Sequence, residues 1–160
     1  MDSRSSAEAS RKDGRRLPFR RRRAKRTPVI LQMEAVECGA ASLAIVLAHY
    51  GAWIPLEELR VACGVSRDGS KASNVVRAAR RYGLAAKGFS LEPSALHQLT
   101  MPCIIHWNFN HFVVLEGIDG KHAYINDPAI GNPSSSIRIP TSCLATWFRA
   151  CIRATISCPR

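Results

Sequence analysis

A chain of 160 residues, of which 46% are hydrophobic, is long enough for one packed domain with or without a tail. No apolar run approaches the roughly 20 residues of a membrane span, and the polar N-terminus lacks the apolar region of a secretory signal. The net charge is +11, but residues 1–26 alone hold 11 Lys/Arg and three Asp/Glu, so most of the charge says little about the folded part.

The N-terminal segment 1–28 is rich in Ser, Arg and Lys and has no apolar periodicity, which predicts a disordered basic arm. Its run Arg20–Arg26 could contact an anionic membrane surface, or it could be a solvated arm without a partner. No aromatic residues interleave with these charges to stack on bases, so we expect no nucleic-acid partner.

The next part of the chain has helical patterning, with apolar residues spaced three and four apart and a glycine after each segment. Helices are predicted at 37–50, 55–62 and 73–82, followed by Gly51, Gly64 and Gly83, with a short helical turn after Pro93.

The later part of the chain has strand patterning. The predicted strands are 86–91, 103–107, 112–118, 123–126 and 136–139. Asp119-Gly120 separates two of them and predicts a tight hairpin turn. Helices followed by antiparallel strands indicate an α+β domain, not a parallel α/β domain.

One cysteine occupies a chemically distinctive position. Cys38 is predicted in the first turn of the first helix, where exposed N–H groups and the helix dipole favour a thiolate. Gln32, six residues upstream, is placed to offer an amide N–H to a developing oxyanion. The alternative is that Cys38 is only a small apolar residue in an Ala-rich helix.

A histidine and a carboxylate are predicted to meet in the hairpin. His111 begins one strand and Asp127 ends the next, at nearly equal distances from the Asp119-Gly120 turn. We expect Asp127 to orient the imidazole through Nδ1, leaving Nε2 to take a thiol proton. His106 is the rival base, but no carboxylate is placed to orient it.

Three residues before His111 have two possible roles. Trp107, Asn108 and Phe109 are expected either to line a cleft wall or to pack in the core and loop. The six cysteines form no C-x-x-C pair and no clustered ligand set, so we expect reduced thiols in a cytosol, no zinc site and no cofactor.

Several of these segments resemble the motifs of one enzyme family. The stretch Gln32–Leu43, the strand Asn110–Leu115 and the tripeptide Asn126-Asp127-Pro128 resemble the double-glycine leader peptidases, cysteine peptidase family 39. That family is found at the N-terminus of bacteriocin-exporting ABC transporters. The resemblance covers about residues 28–139, and residues 55–88 resemble the branch linked to nitrile-hydratase-like or Nif11-like leaders.

The resemblance implies a papain-like fold, with N-terminal helices packed on a C-terminal antiparallel sheet. It implies Cys38 as nucleophile, His111 as general base, Asp127 as orienting carboxylate and Gln32 as oxyanion donor. The implied reaction is cleavage of a leader peptide after Gly-Gly or Gly-Ala. The implied partners are a precursor peptide with such a leader and the membrane and ATPase domains of an ABC transporter, at the cytoplasmic face of the cell membrane.

The chain is therefore divided into a basic arm (1–28), a peptidase domain (29–140) and an atypical tail (141–160). The tail holds three of the six cysteines and does not resemble the family's closing strand, so we hypothesise that a reading-frame change replaced the original end. No G-x-x-x-x-G-K-[ST] loop is present, so ATP use is not expected in this chain.

Two other functions compete with a peptidase. A domain of the same fold could bind leader peptides without cutting them, although the presence of Cys38, His111 and Asp127 together favours cleavage. The basic arm could instead make the chain an adaptor for an anionic surface.

Overall fold

The computed structural model describes residues 25–90, 99–108, 110–119, 121–131, 137–141 and 148–156. Within them, three helices precede an antiparallel sheet, which confirms the predicted α+β class. The helices are α1 (Cys38–His49), α2 (Leu56–Ala62) and α3 (Ala72–Arg81), with a 3-10 turn (Ala35–Glu37) directly before α1. The strands are β1 (Leu84–Phe89), β2 (Cys103–Trp107), β3 (His111–Ile118), β4 (His122–Asn126), β5 (Ile137–Pro140) and β6 (Phe148–Ile156), in the sheet order β1-β6-β2-β3-β4-β5.

The first helix, α1, is the centre of the fold. Every residue from Cys38 to Ala48 is buried, and α1 packs against α2, α3 and β3. Alanines support the helix and leave room for close approach of its neighbours. The helix ends where Gly51 adopts φ +90, a conformation that glycine takes without steric cost.

Both faces of the sheet are covered by apolar side chains. Ile104, Phe112 and Val114 pack with the helices in one cluster. Ile105 and Val113 alternate with them and pack in a second cluster with residues of β4 and the segment before β2. The central strands β2 and β3 are therefore buried on both sides, which fixes the backbone that begins at the predicted histidine.

The predicted hairpin between β3 and β4 is present, although Gly120 lies outside the described residues. The Asp119 N–H donates to the His122 carbonyl at 3.0 Å and closes the connection. The Asp119 carboxylate also accepts the Tyr124 hydroxyl at 2.7 Å and the His122 N–H at 2.9 Å. These bonds hold Asp119 against the first residues of β4.

The tail, whose sequence does not resemble the family's closing strand, contributes strand β6 to the sheet. β6 pairs antiparallel with β1, from Leu84↔Ile156 to Phe89↔Cys151, and with β2 on its other side. The pattern in Phe148–Ile156 is a weak strand signal because arginines interrupt it, but two neighbouring strands supply backbone partners along its length. The boundaries at residues 28 and 140 stay predictions.

The helical turn predicted after Pro93 lies outside the described residues. Within the described ranges, none of the helices is long and apolar enough to cross a membrane.

Candidate active site

The predicted nucleophile lies at the N-terminus of the central helix. Cys38 is the first residue of α1 and is 5% exposed. Burial alone would raise the pKa of its thiol, but hydrogen bonds with the His111 side chain and the Phe112 backbone, together with the charge on His111 and the Gly39 backbone, lower that pKa below its ordinary value. The arrangement therefore favours a thiolate, the reactive form of cysteine.

The structure places the predicted base between the thiol and the predicted carboxylate. His111 Nε2 lies 2.9 Å from Asp127 Oδ1, and both side chains are partly exposed. The hydrogen bond to Asp127, followed by the one to Cys38, raises the pKa of His111 to about 9. Burial opposes the ionised form of Asp127, but hydrogen bonds from His111 and from the Ala129 N–H hold the pKa of that carboxyl below its ordinary value.

The imidazole is oriented the other way round from our prediction. Asp127 accepts from Nε2, not from Nδ1, so Nδ1 is the nitrogen available to the Cys38 thiol. Cys38 bonds with both the His111 side chain and the backbone of the next residue, Phe112, and Nε2 is already engaged by Asp127, which leaves Nδ1 for the thiol. Nε2, at the other end of the ring, reaches Asp127, which follows β4.

His111 and Asp127 meet diagonally. β3 and β4 pair as Gly117↔Tyr124 near the turn but as Leu115↔Ile125 beyond it, because a β-bulge leaves Glu116 as an extra residue in β3. The last pair is Val114↔Asn126, and the same register continued would set Asp127 opposite Val113, two residues from His111. Without the bulge the offset would be three residues, and the two side chains would alternate to opposite faces.

Gln32 lies beside the loop that follows Asp127. Its backbone N–H donates to the Pro128 carbonyl at 3.0 Å, which ties the segment before α1 to the end of β4. Its side-chain Oε1 is buried and has no hydrogen-bond partner among the described residues. This oxygen accepts hydrogen bonds, whereas the expected contact with an oxyanion would come from the Nε2–H group of the same amide.

The sequence prediction missed Glu37, the residue before the nucleophile. Its side chain is fully buried, and its Oε2 accepts the backbone N–H groups of Met33 at 2.8 Å and Glu34 at 3.1 Å. Arg60 of α2 approaches its other oxygen, Oε1, with Nε at 2.8 Å. Glu37 stands three residues after Glu34 at a helix start and forms a capping box with it, so the sequence contained a signal that could have identified Glu37.

A second buried carboxylate holds the chain that leads into the site. Glu116 Oε1 accepts the N–H and the hydroxyl of Thr27, both at 2.6 Å, and the Asn126 amide donates to the Thr27 hydroxyl and to the Pro28 carbonyl. Residues 25–28, which we assigned to a disordered arm, are therefore bonded to β3 and β4. We call residues 25–32 the strap.

His106 and the residues expected to line the cleft, 107–109, do not share one environment. His106 stacks face to face on Phe112, with ring centroids 4.1 Å apart. Trp107 packs against the apolar cluster on the far side of the sheet, and Asn108 is exposed with φ +48. Phe109 lies outside the described residues, so a cleft wall built from 107–109 stays a prediction.

The other cysteines whose side chains are described do not share the environment of Cys38. Cys63 and Cys103 are buried thiols that form no disulfide, and burial raises the pKa of Cys63 to about 12. In the part of the chain that the structure describes, no group of three or more His, Cys, Asp and Glu side chains could hold a metal ion.

Comparisons with known proteins agree with this geometry. Residues 26–139 match the peptidase C39 family, a range that contains Gln32, Cys38, His111 and Asp127. The chain is 57% identical to a solved double glycine motif protease from an AMS/PCAT transporter in complex with the leader peptide, with a TM-score of 0.79 over 85% of this chain and 96% of that one. The peptidase domain of Streptococcus ComA, 24% identical with a TM-score of 0.73 over 81% of this chain and 98% of that one, shares the fold.

Longer curated proteins are also similar. The probable microcin-H47 secretion/processing ATP-binding protein MchF and the colicin V secretion/processing ATP-binding protein CvaB, both of Escherichia coli, are each 40% identical over 107 residues. That alignment covers 67% of this chain and 15% of each relative, so the chain spans a small part of their length. The nitrile-hydratase-like or Nif11-like branch stays a prediction. With the match over residues 26–139 and the helices packed on an antiparallel sheet, the chain belongs to the peptidase C39 family of cysteine peptidases.

Proposed function

We propose that this chain is a cysteine peptidase module that removes leader peptides from peptide precursors by cutting after Gly-Gly or Gly-Ala. The single observation that carries the proposal is the arrangement of Cys38, His111 and Asp127, in which the thiol pKa is lowered and the imidazole pKa is raised. The similarity to a double glycine motif protease supports the choice of substrate.

The first chemical step forms an acyl-enzyme. The Cys38 thiolate attacks the carbonyl carbon of the scissile bond, and the negative charge moves to the carbonyl oxygen. The Gln32 amide N–H and the backbone N–H of Cys38 stabilise this oxyanion. His111, protonated at Nδ1, donates its proton to the leaving amine as the carbon–nitrogen bond breaks, which leaves a thioester on Cys38.

The second step releases the leader. His111, now neutral at Nδ1, removes a proton from water, and the resulting hydroxide attacks the thioester carbonyl. The carbon–sulfur bond breaks, the leader leaves with a new carboxylate, and the proton on His111 restores the ion pair with the Cys38 thiolate. Asp127 keeps Nε2 protonated and the ring oriented through both steps.

The central experiment is cleavage of a purified precursor whose leader ends in Gly-Gly, with mass spectrometry to locate the cut. We expect one cut after the second glycine, and we expect Cys38→Ala to lower kcat by several orders of magnitude. Cys63→Ala is the matched control, because it removes a buried thiol whose pKa is raised by burial and which has no part in the His111 hydrogen bonds. Undiminished cleavage by Cys38→Ala would overturn the proposal.

The non-cleaving alternative is separated by measuring binding and turnover on the same precursor. A leader that binds wild type without being cut, while Cys38→Ala binds equally well, would favour a binding module. Precursors that carry short double-glycine leaders and precursors that carry nitrile-hydratase-like leaders can be compared in this assay, which tests the branch.

We also propose that the chain works at the cytoplasmic face of the membrane, beside the membrane and ATPase domains of an ABC transporter. The support is the similarity to secretion/processing ATP-binding proteins and the 11 Lys/Arg in residues 1–26. Sedimentation with anionic liposomes tests the surface contact. Retention should be lost on deletion of residues 1–24, and equal retention without them would overturn the role of the arm.

A further inference from the structure

Glu37, the buried acid next to the nucleophile, and Arg60 together hold the backbone of residues 33 and 34, and we call this pair the clamp. Glu37 is 0% exposed, and one of its carboxylate oxygens accepts two consecutive backbone N–H groups, those of Met33 and Glu34. These are the two residues that follow Gln32. The clamp therefore bends the chain back toward α1 directly after the residue that we propose as oxyanion donor.

The second carboxylate oxygen is held from another helix. Arg60 Nε lies 2.8 Å from Glu37 Oε1, and Arg60 Nη2 lies 3.8 Å from Glu34 Oε1. Taking a carboxylate out of water is strongly unfavourable unless it is paired and hydrogen-bonded, so an unsupported acid at this position would destabilise the fold. Oε2 of Glu37 is hydrogen-bonded to two backbone N–H groups and its Oε1 is ion-paired with Arg60 without a hydrogen bond of good geometry, which indicates a positional role.

The clamp also has an electrostatic side. A carboxylate on the residue adjacent to Cys38 would repel the thiolate if it stood alone. The Arg60 guanidinium pairs with that carboxylate, so Glu37 can hold the 32–34 segment without placing an unbalanced negative charge beside the nucleophile.

Among the described residues, Gln32 is anchored through its backbone N–H. Its backbone N–H is bonded to Pro128, and its side-chain Oε1 has no partner within the described ranges. The direction of its amide is therefore set by the backbone on either side, held at 32 by Pro128 and at 33–34 by Glu37.

We propose that Glu37, held by Arg60, is a positioning residue that fixes the 32–34 segment so that the Gln32 amide meets the oxyanion. This inference rests on the proposed peptidase function. It predicts that Glu37 acts through Gln32 and not through the stability of the fold alone.

A double-mutant cycle on precursor cleavage tests this coupling. Gln32→Ala should lower kcat by about 10²-fold, the typical cost of one oxyanion donor. Glu37→Gln keeps the size of the side chain but loses the charge that pairs with Arg60, and we expect kcat to fall by about tenfold or more with KM nearly unchanged. In the Gln32→Ala background the same Glu37→Gln change should cost less than about threefold, because the group it positions is gone.

Two further variants keep the test decisive. Glu57→Gln on α2 is the matched control, since Glu57 is exposed, and it should leave kcat unchanged. If Glu37→Gln does not fold, Arg60→Gln enters the same cycle, because the Arg60 side chain is 39% exposed and tolerates replacement more readily. If the fold-losses in kcat of Gln32→Ala and of a clamp variant multiply in the double mutant, the two positions act independently and the inference is overturned. A fully active Cys38→Ala would instead reject the peptidase function.

Discussion

His111 Nε2 bonds to Asp127 Oδ1 at 2.9 Å although the two residues do not oppose one another in the β3–β4 register. The bond spans a diagonal of two residues, which the bulge at Glu116 makes possible by shifting β3 by one position. The alignment of the candidate catalytic pair therefore depends on a backbone irregularity five residues away from the histidine.

The Asp127 bond gives a prediction on pH dependence. The pKa of the Cys38 thiol is lowered and that of His111 is raised to about 9, so kcat/KM should rise as the thiol ionises and fall as His111 loses its proton near pH 9. Asp127 is the largest cause of the raised imidazole pKa, so Asp127→Asn should move the alkaline limb to lower pH and reduce kcat by about 10²-fold or more. A pH profile of both proteins measures this, and an unmoved alkaline limb would contradict the assignment of that limb to His111.

The sequence was sufficient for the helices and for the proximity of the histidine and the acid. Apolar spacing placed α1 within a residue of its observed start and end, because a buried helix repeats its pattern strongly. Counting from a short hairpin turn brought His111 near Asp127, since strand ends on both sides of a turn must lie close together. Counting residues from the turn could not predict that His111 and Asp127 are offset by two residues across the strands. It also could not predict which imidazole nitrogen faces the thiol.

The missed features all depend on contacts between distant parts of the chain. Glu116 interrupts an apolar strand, and nothing near it in sequence shows that it bonds to Thr27, 89 positions earlier. Arg60 pairs with Glu37 only because α2 packs beside α1. β6 forms because β1 and β2 both leave an edge for it, which its own interrupted pattern does not indicate.

The strap gives a second prediction. Thr27→Val removes the hydroxyl, and with it one hydrogen bond to the Glu116 carboxylate and one from the Asn126 amide, so the free energy of unfolding should fall by about 1–3 kcal/mol. The Thr27 N–H bond to Glu116 and the Asn126 bond to the Pro28 carbonyl remain. Thr27→Ser keeps the hydroxyl and should remain close to wild type. Urea unfolding measures both, and a loss in Thr27→Ser without a loss in Thr27→Val would show that the methyl group, not the hydroxyl, matters.

A truncation pair extends this test to the arm. Removing residues 1–24 leaves every strap bond described above in place, so cleavage of a soluble precursor should persist. Removing residues 1–30 deletes the Thr27 bonds, and both stability and kcat should fall.

The close approach at Gly39 gives a third prediction. Glycine to alanine inside a helix normally stabilises by about 1 kcal/mol. Here an added Cβ would lie 3.1 Å from Ser70 Cβ and 3.2 Å from both Phe112 Cδ2 and Val75 Cγ2, all buried or partly buried, and overpacking of this kind costs about 1–3 kcal/mol. We therefore expect Gly39→Ala to lower the melting temperature and to reduce kcat, because it pushes the start of α1 away from the strand that carries His111.

Gly88 provides the control for that experiment. An added Cβ there would meet only Val76 Cγ2, at an ordinary 3.8 Å, so Gly88→Ala should not lower stability. If both variants melt like wild type, α1 is free to move relative to β3, and the close packing at residue 39 does not position the thiol.

Thiol reactivity gives a fourth prediction. Cys38 has a lowered thiol pKa while that of Cys63 is raised to about 12, so iodoacetamide at pH 7 should modify Cys38 far faster than Cys63. His111→Ala removes the side-chain hydrogen bond and the positive charge that lower the Cys38 pKa, and burial, which raises it, then dominates. The rate of Cys38 alkylation at pH 7 should therefore fall and recover at higher pH, as followed by peptide mapping. A His111→Ala protein alkylated at the wild-type rate would show that the helix N-terminus alone, without the imidazole, sustains the thiolate.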